Sequence, residues 1–251
     1  MTTSVHMYKG SLIGQGPISP RQGIYEESAT AKALLGTRLK VGDRTFHYAL
    51  DSGSGLAAGK LVTPYSVNQA NITGDLPTAA VTEGSYTLTL ISAAAQTDLA
   101  EGYMVVQDGT GYGEGGIYKI KKSSANASTA TYTDLVLYDP ILTPLSSTVS
   151  YCTCHTNPYY KLKLSATITD PIIGIPPIAV TADYYFWCQT WGPAMALTLT
   201  GATTAVGSIL IPGADDGSVE IAVGFTSNLL GFQYLVGATT DYSTIWLQIE
   251  P

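Results

Sequence analysis

The chain has 251 residues, a formal net charge of −7 and only 12% charged residues, about half the fraction that is typical of soluble proteins. Its 12 Lys and Arg residues form no dense run, which argues against direct nucleic-acid binding because affinity for phosphate is built from clustered cations. A chain of this length can bury a substantial core, and its abundant Thr, Ser and Tyr favour a β-rich body over a helical one.

No targeting or membrane-spanning pattern is visible in the sequence. The N-terminal stretch lacks the apolar segment of a signal peptide, and no run approaches the roughly 20 apolar residues of a membrane helix. We therefore expect a protein made in a cytoplasm-like compartment, with no membrane partner. The 3 cysteines are too few for a disulfide scaffold of this length, so free thiols are expected.

The first 36 residues are predicted to form an extended arm followed by one short helix. Residues 1–25 mix Gly and Pro with scattered apolar residues, and they follow neither the helical nor the strand period. The apolar content favours an arm that lies on a surface, its own or a neighbour's. The segment from Glu26 to Gly36 has acidic residues at its start and a Gly as a stop, which predicts a helix of about three turns. The arm residues expected to make the contact are Met7, Tyr8, Leu12, Ile13, Ile18 and Tyr25.

From residue 37 onward the sequence predicts short strands between turns. The segments "TRLKVGDRTFHYAL", "GSYTLTLI" and "STVSYCTC" alternate in polarity, and "GYMVVQDGTGYGEGGIYKIKK" places two strands about a Gly-rich connection. The Pro-rich residues 170–180 predict a boundary, since Pro cannot donate to a central ladder. The predicted fold is mainly β, a sandwich or barrel, with one β subdomain over 37–169 and a barrel-like one over 170–251.

Cys152, Cys154 and His155 lie close enough in the sequence to suggest a metal or redox site. A structural zinc site needs four ligands in closed geometry. In a strand the two cysteines point to one face and His155 points to the other. We therefore predict a plain strand that ends at the turn formed by Asn157 and Pro158.

The segment "ALDSGSG", which contains Asp51, has the form of an aspartic protease motif. That chemistry needs two carboxylates that share a proton, and the chain contains no second Asp-Thr/Ser-Gly. A β-turn that carries Asp51 is the favoured interpretation.

Two further segments could suggest ligand binding. "QDGTGYGEGG" lacks the Lys and Ser/Thr of a phosphate-binding loop, and Asp108 and Glu114 are too few to define a calcium site, so a hairpin connection is predicted. The aromatic run from Tyr184 to Trp187, with Trp191, could stack on a sugar, but its pattern favours a strand buried on both faces. No catalytic, cofactor or metal residues are predicted.

Several longer segments of the sequence resemble segments of the head decoration proteins of tailed bacteriophages, which bind the capsid and stabilise it. They are "GTRLKVGDRTFHYAL", "LAEGYMVVQDGTGYGEGGIYKIKK", "LVLYDPI", "NPYYKL", "YYFWCQTWGPAMAL" and "VGSILIPGADDGSVEIAVGF". The resemblance extends over most of residues 36–251 and rests on these segments taken together, not on one diagnostic motif.

The resemblance implies a non-enzymatic virion protein, assembled in the host cytoplasm, that binds the capsid exterior and bridges neighbouring capsid subunits. The implied partners are the major capsid protein and further copies of the chain, as a homotrimer, with a further head protein or fibre as an additional contact. Two alternatives stay open: a fibre-type adhesin that recognises a glycan, and an enzyme, either an aspartic protease or a polysaccharide-degrading protein.

Overall fold

A computed structural model of the protein describes residues 22–64, 72–92, 97–108, 110–126, 129–199, 205–222, 229–235 and 242–250. Within these ranges the chain forms strands and no helix, so the predicted mainly β fold is confirmed. The strands are β1 (Arg38–Val41), β2 (Arg44–Leu50), β3 (Val62–Pro64), β4 (Ile72–Asp75), β5 (Thr87–Ile91), β6 (Tyr103–Asp108), β7 (Ile117–Asn126), β8 (Thr129–Leu137), β9 (Tyr151–His155), β10 (Leu162–Leu164), β11 (Tyr185–Leu197), β12 (Ile209–Pro212), β13 (Val219–Ile221), β14 (Gly231–Leu235) and β15 (Tyr242–Gln248).

The chain divides into two compact units. The first unit comprises Met1–Val67 and Tyr159–Pro251, and the second comprises Asn68–Pro158. The second unit is thus a continuous insertion in the sequence of the first. This division differs from the predicted one, because the predicted boundaries after residues 36 and 169 both fall within the first unit.

The second unit is built on a six-stranded antiparallel sheet in the order β4-β9-β6-β7-β8-β5. The segment directly after β4 closes this sheet, because Thr78 N–H donates to the Thr89 carbonyl at 2.9 Å and Ile91 N–H donates to the Leu76 carbonyl at 3.0 Å. The closed sheet therefore lies in the second unit, whereas the sequence predicted a barrel-like body over 170–251. Alternate residues of its strands point inward and form one core: Leu88, Leu90, Met104, Val106, Tyr118, Ile120, Leu135, Leu137, Cys152 and Cys154.

The first unit contains a seven-stranded sheet in the order β1-β2-β11-β15-β14-β12-β13 and a small sheet that pairs β3 with β10. The long strand β11 contributes to three hydrophobic clusters. Phe186 and Cys188 belong to one, Trp187 belongs to a second, and Ala194 and Ala196 belong to a third. The aromatic run is therefore buried on both faces of the strand, as its alternation predicts.

The Pro-rich residues 170–180 run through the first unit, where the sequence predicted a boundary. Backbone hydrogen bonds join Gly174 to Val62 at 3.0 Å and Ile175 to Gln189 at 2.9 Å, and Val180 pairs with Leu56. Prolines within this segment interrupt regular pairing, so it makes single bridges to neighbouring elements in place of a continuous ladder.

The short helix predicted from Glu26 to Gly36 is not found. The segment forms bends and turns, and Ser28 pairs with Tyr185 of β11 through two backbone hydrogen bonds. Ile24 and Ala33 pack against the cluster that contains Trp187. Tertiary contacts thus override the local helix signal, as is common for a segment of this length.

Candidate functional site

The clearest candidate site in the first unit is one face of its sheet, formed by outward-pointing residues of β11, β15, β14 and β12. We call it the outer face. It consists of Pro193, Met195, Leu197, Ile209, Phe232, Tyr234, Leu235, Tyr242, Thr244 and Trp246.

Strand register places these residues in rows that run across the sheet. Pro193 pairs with Trp246, Trp246 with Phe232, and Phe232 with Ile209, so one row crosses four strands. A second row joins Met195, Thr244 and Leu235, and a third joins Leu197 and Tyr242. The outer face is therefore contiguous, because paired residues of adjacent strands have neighbouring side chains on one side of the sheet.

The residues between these positions point to the opposite side and form the core. Ala194, Ala196, Leu210, Ile245 and Leu247 are all buried in one hydrophobic cluster. Strand geometry sends successive side chains to opposite faces, so the buried set fixes the outer face toward the exterior of the first unit. Met195 is 51% exposed and Leu235 is 56% exposed.

Contacts within the outer face hold its large side chains in defined positions. The rings of Phe232 and Trp246 stack with their centroids 6.2 Å apart and their planes 5° apart, and the Tyr234 ring lies 6.2 Å from Trp246. The Thr244 hydroxyl donates to Sδ of Met195 at 3.6 Å. A binding partner would therefore meet a surface whose side chains are already ordered, which lowers the entropic cost of association.

None of the ten outer-face residues is charged. The strand register places a charged residue, Glu220, beside this face on the edge strand β13, where it pairs with Ile211 of β12. Protein interfaces combine such an apolar, aromatic centre with a polar rim. Contiguous exposed apolar patches on folded proteins mark interaction sites, so the outer face is suited to bind another protein surface.

The sequence carried a signal for the outer face that composition alone does not reveal. In β15, "YSTIWLQ", every second residue is buried, yet Tyr242 and Trp246 occupy outward positions where a solvated strand would carry polar residues. The aromatic run of β11 is the more prominent aromatic pattern in the sequence, but its Phe186 and Trp187 are buried.

Asp51 forms a buried anchor for two loops of the first unit. Its Oδ2 atom accepts backbone hydrogen bonds from Gly53 at 2.7 Å, Gly55 at 3.1 Å and Asp183 at 3.0 Å. The side chain is fully buried. The chain bends after Asp51, and the carboxylate satisfies three N–H groups that would otherwise be unpaired.

A second polar group of the first unit surrounds His47, which is buried. Its Nδ1 lies 3.2 Å from the Thr190 hydroxyl, its Nε2 lies 3.4 Å from a Glu250 carboxylate oxygen, and its ring stacks on Tyr159 at 4.8 Å. Burial lowers the pKa of His47, while the charge of Glu250 opposes this effect and that of Arg38 adds to it.

The order Thr190, His47, Glu250 resembles a nucleophile, base and acid, but its geometry serves structure. Thr190 is fully buried and donates to the Glu250 carbonyl at 2.8 Å, and the Tyr159 hydroxyl donates to the Glu250 carboxylate at 2.7 Å. A nucleophile must reach substrate, so this group instead holds the residues that follow β15 against the first unit. No sequence spacing could have revealed it, because its members are widely separated.

Cys152 and Cys154 lie on β9, with both side chains in the core of the second unit. Burial, with the nearby Asp75 carboxylate, raises the pKa of Cys152 to about 12, and burial likewise raises the pKa of Cys154. His155 lies beside the Tyr103 ring, with centroids 5.8 Å apart. The strand predicted here is confirmed, and its thiols behave as small apolar groups.

The residues predicted to form the arm contact are covered only in part. Met7, Tyr8, Leu12, Ile13 and Ile18 lie outside the described residues. Tyr25 is described and exposed, and its hydroxyl accepts a hydrogen bond from Arg44 Nη1 at 2.9 Å.

The end of the predicted arm is fixed to the first unit by Gln22. The Gln22 carbonyl accepts from Trp187 Nε1 at 3.0 Å, and its side-chain oxygen accepts from the Tyr48 hydroxyl at 2.7 Å. The chain from Gln22 onward therefore belongs to the first unit.

The Gly-rich residues between β6 and β7 lie in a hairpin connection, as predicted. Within the part of the chain that the structure describes, no three His, Cys, Asp or Glu side chains are grouped as a metal site requires.

In the described ranges, no helix is long and apolar enough to cross a membrane. Comparisons with protein-family models, curated proteins and solved structures find no match for this chain.

Proposed function

We propose that this protein is a non-enzymatic structural component of a tailed-bacteriophage virion, which binds the outer surface of the capsid and stabilises it by bridging neighbouring capsid subunits. The proposal joins the resemblance in sequence to one structural observation. That observation is the outer face, an uncharged apolar surface of four strands centred on Trp246.

An exposed face of this kind supports an assembly role in which the face joins protein surfaces to one another, while the arm makes the contact with the capsid. Its removal from water favours association by about 25 cal/mol for each Å² of apolar surface buried. The ten residues carry no charge that would have to be desolvated, which is the main cost of polar interfaces. Weak contacts repeated over many copies on one particle then add through multivalency.

The proposed partners are the major capsid protein and further copies of this chain as a homotrimer, with no cofactor. The place of action is the capsid exterior, after assembly in the host cytoplasm. The arm over residues 1–25, with Tyr25 among its contact residues, remains the proposed capsid contact. A deletion that tests this contact stops at residue 21, because the chain from Gln22 onward is anchored to its own first unit.

The test is binding of the purified chain to phage heads that lack it. We expect the protein to co-sediment with heads at saturating stoichiometry, to raise their resistance to heat, and to appear as density on the capsid exterior by electron cryomicroscopy. A variant that lacks residues 1–21 should bind with lower occupancy, and unchanged occupancy would remove the arm from the proposed contact.

Failure to bind heads, or density at a tail or fibre tip, would contradict the proposed function. Density at a fibre tip together with binding on a glycan array would support the adhesin alternative. A Leu142→Lys variant is a suitable control, because Leu142 is 71% exposed in the second unit and lies away from both proposed contacts in the sequence.

A further inference from the structure

We propose that the outer face is covered by the outer face of a second copy of this chain, so that two chains associate about a twofold axis through the sheets of their first units. This inference deepens the proposed function, on whose assembly role it rests. Area, charge and geometry support a second copy of the chain as the partner of the outer face.

The exposed area of the outer face could supply a large part of one side of a standard dimer interface. A whole aromatic side chain has roughly 150–250 Å² of surface, and about half of Tyr234, Leu235 and Met195 is exposed. With Ile209 and Tyr242 also exposed and Phe232 and Trp246 half-buried, the face offers several hundred Å². Standard interfaces bury about 800 Å² on each partner, and a contiguous apolar patch of several hundred Å² on a folded chain is often a functional contact.

The distribution of charge makes the outer face the surface through which two copies can associate with the least repulsion. The chain carries a net charge of −7, so most approaches between two copies bring like charges together. The outer face is uncharged, and the acidic Glu220 lies toward its edge strand. Face-to-face association therefore places the repelling groups at the rim, where water screens them.

The geometry of the face also suits pairing with itself. In a twofold interface the same patch serves both partners, so each apolar row must meet another apolar row. The rows of the outer face satisfy this requirement, because each of them consists of apolar, aromatic or hydroxyl side chains. Two sheets with such faces pack about 10 Å apart, as in the interior of a β-sandwich.

The first experiment measures the mass of the assembly in solution by light scattering and sedimentation equilibrium over a dilution series. We expect the wild-type species to contain an even number of chains, six if two of the proposed homotrimers pair through their outer faces. Met195→Lys with Leu235→Lys should halve that number and raise the dissociation constant at least about 100-fold, because a lysine buried without a partner is costly. Both positions are about half exposed, so the double variant keeps the core of the first unit intact.

The matched control is Ile117→Lys with Leu142→Lys, which adds the same charge at exposed apolar positions of the second unit. It should leave the mass unchanged. A wild-type mass with an odd number of chains, or an unchanged mass in the outer-face variant, would overturn the inference. Loss of association on deleting residues 1–21, as complete as in the outer-face variant, would overturn it too, because the arm would then be the occupant.

A second experiment detects the contact directly with a short bismaleimide cross-linker. The three native cysteines are buried, so Thr244→Cys places one accessible thiol in the middle row of the outer face. We expect covalent dimers from Thr244→Cys and none from Val149→Cys, whose position is exposed in the second unit. Equal cross-linking of the two variants would contradict face-to-face pairing.

The two proposals can fail separately. Protein that pairs through the outer face but does not bind heads refutes the proposed function, while protein that binds heads but never pairs refutes only this inference.

Discussion

At the scale of single residues, the polar groups that look catalytic in the sequence hold the backbone together. Asp51 illustrates this, because its carboxylate accepts from three backbone N–H groups while it is fully buried. The motif pattern predicted a turn and could not predict the third donor, Asp183, which is distant in the sequence. Such buried anchors contribute to stability because the groups they satisfy have no access to water.

Asp51→Ala is expected to lower the free energy of unfolding by about 3 kcal/mol, because three N–H groups lose their acceptor. Asp51→Asn keeps an oxygen at this site and should lose less. Urea unfolding followed by circular dichroism measures both variants. Asp216→Ala, at an exposed turn position, is the control, and an effect of Asp51→Ala no larger than that of the control would refute the anchoring role.

His47 gives the protein a predictable response to acid. Its folded-state pKa lies below the ordinary value of 6.5 because of burial. The unfolded chain therefore binds a proton at His47 more readily than the folded chain does. The contribution of His47 to the free energy of unfolding is fully present above pH 6.5, and it is lost as the pH falls below that value. Glu250 reduces the effect and Arg38 increases it.

We expect the free energy of unfolding to fall between neutral pH and about pH 5 in the wild type, and to fall less in His47→Gln, which cannot take up the proton. Denaturant unfolding at a series of pH values gives the slopes for both proteins. Parallel slopes would show that His47 does not cause the acid sensitivity.

At the scale of elements, alternation predicted which residues of a strand lie on the same face. The aromatic run of β11 and the cysteine strand β9 both follow their predicted faces. The helix predicted from Glu26 to Gly36 is absent because this segment pairs with Tyr185 of β11 through Ser28. That partner is far away in the sequence, so the local pattern could not predict the pairing. The outer face was missed for a related reason, since periodicity identifies two faces of a strand but not which of them stays exposed.

The Pro-rich segment offers a test of packing between elements. A Cβ atom built on Gly174 would lie 2.5 Å from the Gln189 carbonyl oxygen and 2.6 Å from Cys188 Sγ. Gly174→Ala should therefore cost about 2 kcal/mol of stability, as overpacked cores do. Gly23→Ala, whose nearest contact is Glu26 at 3.4 Å, is the control in a thermal unfolding assay, and equal melting temperatures would contradict the close packing.

At the scale of the whole molecule, the sequence predicted a mainly β protein with two successive β subdomains, whereas the two compact units of the structure divide the chain at other positions. The second unit interrupts the first, and strand β3 before the insertion pairs with β10 after it. Prediction from sequence order places neighbouring strands in the same subdomain. An insertion of this kind was not predicted, because it changes neither the local composition nor the periodicity of the sequence.

The second unit should fold by itself, because it is continuous in sequence and has its own core. We expect the isolated fragment of residues 68–158 to give one cooperative urea transition. Leu137→Ala, which empties a buried position of that core, should lower its stability by about 2–5 kcal/mol. A fragment without a cooperative transition would show that the second unit depends on the rest of the chain.

The pairing of β3 with β10 makes the second unit replaceable in an engineered version of the chain. Pro64 lies opposite Leu162, so the chain leaves and re-enters the first unit at adjacent positions. A tight turn between these two strands could replace the whole insertion, and an unrelated domain whose termini lie close together could be grafted in its place. The β3–β10 pair is thus a position at which a foreign sequence could be inserted while the fold of the first unit is kept.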